Sequence, residues 1–547
     1  RAVKVYSDKY EVEVKIPFKS IRYKKELNKW GITFTRYIAH KQESDCWNEF
    51  LQNEGILVSK FGTLTGIKPH SLGYYFELYP EGFVRYDKYG EEKGGFKPSL
   101  SMNFKWDLTP QTNFNATVYP DFAQIESDPF SLNLSRYPVY LDERRPFFLA
   151  GKDIFRMSDF GEEKGFFSPL NIFYSRRIGK SIDGEAVPII GGLKLTNKST
   201  VWNMGLLSAY TDEYTKNDSL LEPHRGFTVV RTKRRMSENS DIGMLFSGTM
   251  VNREDYNYAL GLDGVYRKGI NQLIFQGAAS NKNDKIGWAS SAGYFGMVRN
   301  FLTIASAEIV TDSFDVSDIG FAPWTGIKKF FICSGPYKEY QKGLLKNIFA
   351  APGIMVIQEP GDKKWSKIAH LEINPNFRNN WGFSLSFMVG PYYEADTNYL
   401  YRQVNLCVWG KLLGNGINFG GNYSYSYNYN RDFLAYQGSN WFFYRYSIIP
   451  QVGISLSGNI WAEWDTLNTL VAITPRLTPR IDFRINADVN LSIFNQFVMA
   501  TPGTDFRETD LLSNRTGMLF SWNFKPKSWL YIALNDYREE DEYGRLQ

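Results

Sequence analysis

Residues 481–494 read Ile-Asp-Phe-Arg-Ile-Asn-Ala-Asp-Val-Asn-Leu-Ser-Ile-Phe. Ile481, Phe483, Ile485, Ala487, Val489, Leu491 and Ile493 share one parity, and Asp482, Arg484, Asn486, Asp488, Asn490 and Ser492 share the other. Successive side chains of an extended chain point to opposite faces, so a period of two reads as a strand with one apolar and one polar face. Read as one strand, the run is long enough to cross a bilayer, because about 9–11 tilted residues suffice. The charged face cannot meet lipid and must look into an aqueous lumen. Residues 416–430 repeat the pattern, with Tyr423, Tyr425, Tyr427 and Tyr429 set against Ser424, Ser426 and Asn428. Further strands are expected at 97–108, 241–252, 256–268, 381–393 and 516–524. Short polar breaks such as 378–380 and 268–269 alternate with longer ones such as 211–225, as in a membrane barrel.

Composition agrees. Aromatic residues make up 16% of the 547-residue chain, yet mean hydropathy is only −0.36, as expected when lipid-facing and water-facing positions alternate. No run reaches the roughly 18 apolar residues of a spanning helix. A sheet in lipid must close, because an open edge leaves backbone groups unpaired. The fold expected is therefore all-β: a large closed antiparallel transmembrane barrel over 73–547, of roughly 22–24 strands. A soluble propeller would show a repeat of about 40–50 residues, and none is present. Residues 1–72 read as a short β remnant of a soluble domain, with strands expected at 10–16 and 30–38. The chain opens in a strand-like run, as a mature or trimmed fragment would.

Lys and Arg total 63 against 58 Asp and Glu, and the signs are interspersed, which argues against a nucleic-acid partner. Cys46, Cys333 and Cys407 are too few and too widely spaced for a disulfide framework or a zinc site, and the four His are scattered. No cofactor or metal is expected.

Residues 121–170 break the alternation, interleaving acids and arginines with aromatics. A segment of this length in a wide barrel is expected to fold into the lumen. Its candidate charge cluster is Asp121, Glu126, Asp128, Arg136, Asp142, Glu143, Arg144 and Arg145, joined by Arg176 and Arg177. One reading has these arginines only satisfy the acids of the same segment; the other makes them an anion-binding lumen or a gate.

Three runs carry a resemblance: Tyr-Pro-Asp-Phe-Ala-Gln-Ile-Glu-Ser-Asp at 119–128, Asp-Glu-Arg-Arg-Pro-Phe-Phe-Leu at 142–149 and Ile-Phe-Tyr-Ser-Arg-Arg-Ile-Gly at 172–179. They resemble a family of Bacteroidota outer-membrane proteins in which a carbohydrate-binding-module-like domain, related to family nine of those modules, precedes a barrel of unknown function. Residues 191–196 and 261–266 look like its barrel strands, and 11–47 resembles the end of its binding-module-like domain. The resemblance implies an outer-membrane location but no reaction.

No nucleophile elbow, metalloprotease motif, phosphate loop or dinucleotide fingerprint is present, so no catalytic residue is named. Trp365, Trp381, Trp409, Trp441 and Trp529 read as an interfacial girdle. The function expected is a gated or plugged conduit for a nutrient or envelope component. A scaffold subunit of a larger outer-membrane complex, and a barrel-anchored glycan-binding or hydrolytic protein, are the alternatives. Outer-membrane lipid and lipopolysaccharide are the expected partners, with other outer-membrane or periplasmic proteins possible. Because bacterial barrels have even strand numbers and 536–547 is too polar to cross, a further strand is expected beyond Gln547.

Overall fold

The computed structural model describes residues 2–16, 18, 28–38, 43–49, 60–67, 75–88, 90, 93–109, 111–121, 132–133, 136–160, 166–182, 185–237, 239–525 and 528–539. The fold is all-β. Twenty-three strands form one antiparallel sheet that follows chain order from Tyr75–Asp87 to Ser528–Glu539. The strand Thr112–Val118 pairs with Ile189–Lys198, so the long segment between them is an insertion in an ordinary hairpin. The strand order also sets Ser528–Glu539 beside Tyr75–Asp87. Since successive antiparallel strands reverse direction, the first and the twenty-third run the same way. The even count expected is not met among the described residues, and the strand expected beyond Gln547 lies outside them.

Tight turns explain the regular meander. Asn283 and Asp284 both have positive φ (49° and 66°), as do Leu413 and Gly414 (50° and 79°). Two consecutive left-handed residues make a hairpin turn whose twist matches that of its strands. Connections at 199–201, 269–270, 299–300, 413–414 and 450–451 are short and lie at one end of the sheet; 119–188, 212–224 and 311–327 lie at the other.

The run 481–494 is not one strand. It is the hairpin Leu470–Arg484 and Val489–Pro502, with Ile481 opposite Ile493 and Phe483 opposite Leu491. The Asn486 side chain accepts the backbone N–H groups of Asp488 (2.8 Å) and Val489 (2.9 Å), which reverses the chain without glycine or proline. Directly opposed residues share a face, so the apolar parity survives the turn and imitates an unbroken strand. The expected strand at 30–38 is likewise two: Lys29–Ile32 pairs with Gly62–Thr65, and Thr35–Ile38 with Glu43–Cys46. The last strand runs to Glu539, past the expected end at Asn535.

The described residues of 119–188, and 311–327, pack on one face of the sheet, here called inner. Phe148, Ile154, Phe155, Ile172 and Ile178 from the first segment, and Phe314, Val316 and Ile319 from the second, are buried against Leu207, Val229 and Leu245 of the strands. Ile172 and Ile178, beyond residue 170, pack on the same face as Phe148, Ile154 and Phe155, and a second inserted segment joins them there. The register carries the inner face around the sheet. It places Trp409, Trp441 and Trp529 on the inner face, not on an outer girdle. The tryptophans of the outer face include Trp106, Trp202, Trp288 and Trp522.

Candidate functional site

A segment without regular structure leaves its backbone carbonyls needing donors. Here cationic and polar side chains supply many of them. Among its described residues the first inserted segment contains a four-residue helix, Pro146–Leu149, the short 3-10 turns Lys152–Phe155 and Ser175–Arg177, and the small pair Ser181–Ile182 and Glu185–Ala186. Lys194, on the inner face of Ile189–Lys198 and 1% exposed, donates to the carbonyls of Phe147 and Ala150 at the end of that helix. Arg145 donates to the carbonyls of Ile178 (2.6 Å) and Ser175 (2.7 Å), and Arg177 to that of Gly320 (3.0 Å). Arg176 reaches the backbone carbonyl of Asp142 (2.7 Å), not its carboxylate. The Ser247 hydroxyl donates to the carbonyl of Ile172 (2.6 Å) and the Gln276 amide to that of Ser158 (2.5 Å), fixing the segment to the wall.

Of the candidate cluster, Glu126 and Asp128 lie outside the described residues. The structure does not gather the rest into one site. Asp121 accepts a hydrogen bond from Ser99 on the inner face. Glu143 is the hub of a local network: Arg145 donates to it twice (2.6 and 2.9 Å), Ser175 once (2.7 Å), and the backbone N–H groups of Arg144 (2.9 Å) and Arg145 (2.8 Å) complete the set. Arg136 instead leaves the segment and pairs with Glu359 on the connection 359–365 (2.8 Å). Glu359 also accepts the hydroxyls of Tyr137 (2.7 Å) and Tyr392. Burial and the Glu359 charge hold the Tyr137 phenol well above its ordinary value, so it stays a donor.

Burial alone would raise the Glu143 carboxyl. The hydrogen bond and charge of Arg145, with the Ser175 bond, outweigh it and hold Glu143 below the ordinary carboxylate value. A carboxyl lowered in the folded state stabilises that state above the unfolded pKa of about 4.3, and the contribution vanishes as pH falls through the folded value. Residues 136–180 should therefore resist pepsin at pH 5 and become cleavable below about pH 4. Mapping the cleavage products by mass checks this; cleavage that does not change between those two values counts against the Glu143 hub.

A fully buried charged pair was not legible in the sequence. Arg231 and Asp263 are both fully buried and make two hydrogen bonds, at 2.5 and 2.8 Å. The strand Asp241–Met250 lies between their strands. The guanidinium crosses it at Gly243, where a Cβ would come within 2.6 Å of Arg231. Asp263 also accepts the backbone N–H of Ser158 (2.7 Å), whose hydroxyl donates to Asp241 (2.9 Å). The pair thus joins two strands and the inserted segment. A cavity of about 420 Å³ lies where the two inserted segments meet the wall, lined by Tyr140, Leu170, Phe314, Phe321, Trp324 and Glu308 among others. Trp324 donates its indole N–H to Glu308 (2.8 Å). Chemically, this arrangement fills and braces space on the inner face, and among the described residues nothing in it sets a nucleophile against a base.

Residues 76–204 match the family described as a domain of unknown function (DUF5916). The match begins in the first strand of the sheet, spans the whole first inserted segment and ends in the strand Trp202–Thr211. No curated protein matches the chain.

Proposed function

We propose that this chain is an outer-membrane barrel of a Gram-negative bacterium, with its lumen plugged by the two inserted segments, and that it acts as a conduit for a nutrient or envelope component. The observation that carries this reading is the segregation of the two faces. On the strand Tyr256–Lys268 the outer positions Leu260, Leu262 and Tyr266 are 47%, 56% and 56% exposed, whereas the inner positions Asn257 and Asp263 are buried against the inserted segments. On Tyr75–Asp87 and Gly95–Thr109, Phe76, Leu78, Val84, Phe96 and Leu100 point outward and are widely exposed. Apolar area left in water is unfavourable by roughly 25 cal/mol per Å², and a soluble monomer rarely shows patches beyond a few hundred Å². A lipid belt removes that penalty. Outer-face Trp106, Trp202 and Trp522 lie toward one rim, and Trp288 toward the other, where an aromatic girdle would sit. The adjacency of the first and last strands supports closure, which lipid requires.

On the same reading, outer-membrane lipid and lipopolysaccharide are the partners of the belt. The resemblance of 119–179 supports placement in the Bacteroidota family. Residues 1–72 are then read as the end of a carbohydrate-binding-module-like domain.

Spin labels test the belt. In reconstituted protein, labels at Leu260, Leu262 and Ile481 should be quenched by oxygen, and labels at Asp482 and Arg484 by a water-soluble nickel chelate. Equal access of the nickel chelate to both parities would refute the membrane assignment.

A further inference from the structure

We infer that the outer face carries a binding site for a phosphorylated lipid headgroup, built on Arg402, Lys367, Lys328 and Lys364 at the rim of the long connections; this rests on the outer-membrane reading above. The register decides which side chains face outward. Ala369 lies opposite Val389, Val389 opposite Arg402, Arg402 opposite Tyr425 and Tyr425 opposite Tyr436, so all five share one face. Leu400 and Val404, on either side of Arg402 in that parity, are 51% and 43% exposed, which marks the face as the outer one. Lys367 stands two residues before Ala369 and opposite Val356, which in turn lies opposite Phe330. Lys328 stands two residues before Phe330. Three exposed cations thus descend across alternate strands, from Lys328–Glu339 through Ser366–Phe377 to Thr397–Leu412. Lys364 joins them from the connection 359–365, with its ammonium over the Tyr393 ring at 4.6 Å. From Lys328–Glu339 to Phe433–Ile449 no outer position among the described residues is acidic, and Glu339, Glu372 and Glu394 have inner parity. Asp362 and Asp396, in the connections of this rim, form no ion pair with the four cations; Asp396 accepts the Tyr393 hydroxyl (3.1 Å).

An arginine that faces lipid is unfavourable in hydrocarbon and is tolerated near the interface, where its long stem lets the charge reach the headgroups. Arg402 is held there. Its guanidinium lies over the rings of Tyr425 (5.1 Å) and Tyr436 (5.5 Å). Such a contact restrains the cation without using its N–H donors. Those donors form a fork that matches phosphate oxygens, and lysine adds point charges beside it. Trp365 against Phe330 (6.0 Å) and Trp464 against Tyr423 (6.1 Å) flank the patch, as aromatic rings do at the depth of the headgroups. Neighbouring strands lie about 4.8 Å apart, so Lys328 and Arg402, four strands apart, are separated by roughly 19 Å across the sheet. That width exceeds one phosphate and suits a headgroup that carries two. The occupant assigned is therefore a lipid bearing phosphate at more than one position, in the leaflet that meets the rim of the long connections.

The test mixes the full chain in neutral detergent with equimolar bisphosphorylated lipid A and phosphatidylcholine, and counts bound lipid by native mass spectrometry. Native protein should retain lipid A over phosphatidylcholine by at least about tenfold. R402S/K367S should lower lipid A retention about thirtyfold, and R402K should lose less than R402S because it keeps the charge and gives up only the fork. R234S, an outer-face cation at the opposite rim, should change nothing. If R402S/K367S does not assemble, K328S/K364S should lower retention in its place. Inorganic phosphate at the same concentration should leave the lipid bound; displacement would mean a site for free phosphate and would overturn the inference. Equal retention of the two lipids, or a preference that survives both Ser pairs, overturns it as well. Flotation with phosphatidylcholine vesicles separates this failure from that of the membrane reading. A chain that inserts into the vesicles without preferring lipid A leaves the outer-membrane barrel standing, whereas one that does not insert removes the two together.

Discussion

Changing Arg231 to Met should destabilise the protein by about 3–5 kcal/mol, the penalty for leaving one member of a buried ion pair without its partner. Asp263 would keep its charge beside Gly243 and Ser158, with the Ser158 N–H still donating to it at 2.7 Å. D263N should cost a comparable amount, since the Arg231 guanidinium is itself fully buried. The double change R231M/D263L removes both charges and should return most of the loss, because apolar groups of similar volume replace buried pairs at little penalty. Urea titration of the reconstituted protein, followed by tryptophan fluorescence, gives the three values. A double variant no more stable than the singles would show that the site is held by shape, not by the pairing of charges. The inserted segment adds a second readout. Because Asp263 and Gln276 hold the backbone of Ser158, D263N should also open residues 152–160 to protease before the sheet unfolds.

This pair marks where sequence reading stops. Period two is local, so it placed strands at 97–108, 256–268 and 516–524 close to the observed Gly95–Thr109, Tyr256–Lys268 and Asp510–Lys525. It also puts Asp263 on the parity of Asn257 and Arg267, opposite the apolar parity of Leu260 and Leu262. It cannot say that Asp263 meets Arg231, because that depends on the register of a strand lying between them and on the absence of a side chain at Gly243. The same locality produced the error at 481–494. Ile485 and Ala487 continue the apolar parity through a turn made by one Asn side chain, so nothing in the pattern breaks where the chain reverses. The segment 311–327 escaped for a related reason. Phe314 and Val316 are two residues apart, as in a strand, yet both are buried in the inserted core and no ladder includes them. The arginines of 136–177 were visible as a group. The pairing of Arg145 with Glu143 agrees with the reading that joins these arginines to acids of their own segment, but the backbone carbonyls that Arg145 and Arg177 also satisfy carry no sequence signal.

On the plugged-conduit reading, replacing residues 121–187 by a short Gly-Ser turn should raise single-channel conductance by at least about fivefold, the effect of emptying a plugged lumen. The geometry favours a clean deletion. Val118 already lies opposite Gly191, so the flanking strands are a paired hairpin and a few residues can join them. The ladder itself is untouched, and its backbone hydrogen bonds are what hold a sheet in lipid. What is lost is the packing of Phe148, Ile154, Phe155, Ile172 and Ile178 on the inner wall. Lys194 also loses the carbonyls it serves, and Arg231 and Asp263 gain water. A charged wall residue that loses a dry partner but gains solvent is far less penalised than one left buried. The deleted protein should therefore assemble, with strand content preserved by circular dichroism and with heat-sensitive gel migration. The second inserted segment, 311–327, stays in place with Phe314, Val316 and Ile319, so the opening should be partial and conductance should rise again when it too is shortened. An assembled deletion whose conductance equals that of the native chain would mean that the inserted segments brace the wall without blocking a path. The protein would then be better read as a scaffold than as a conduit.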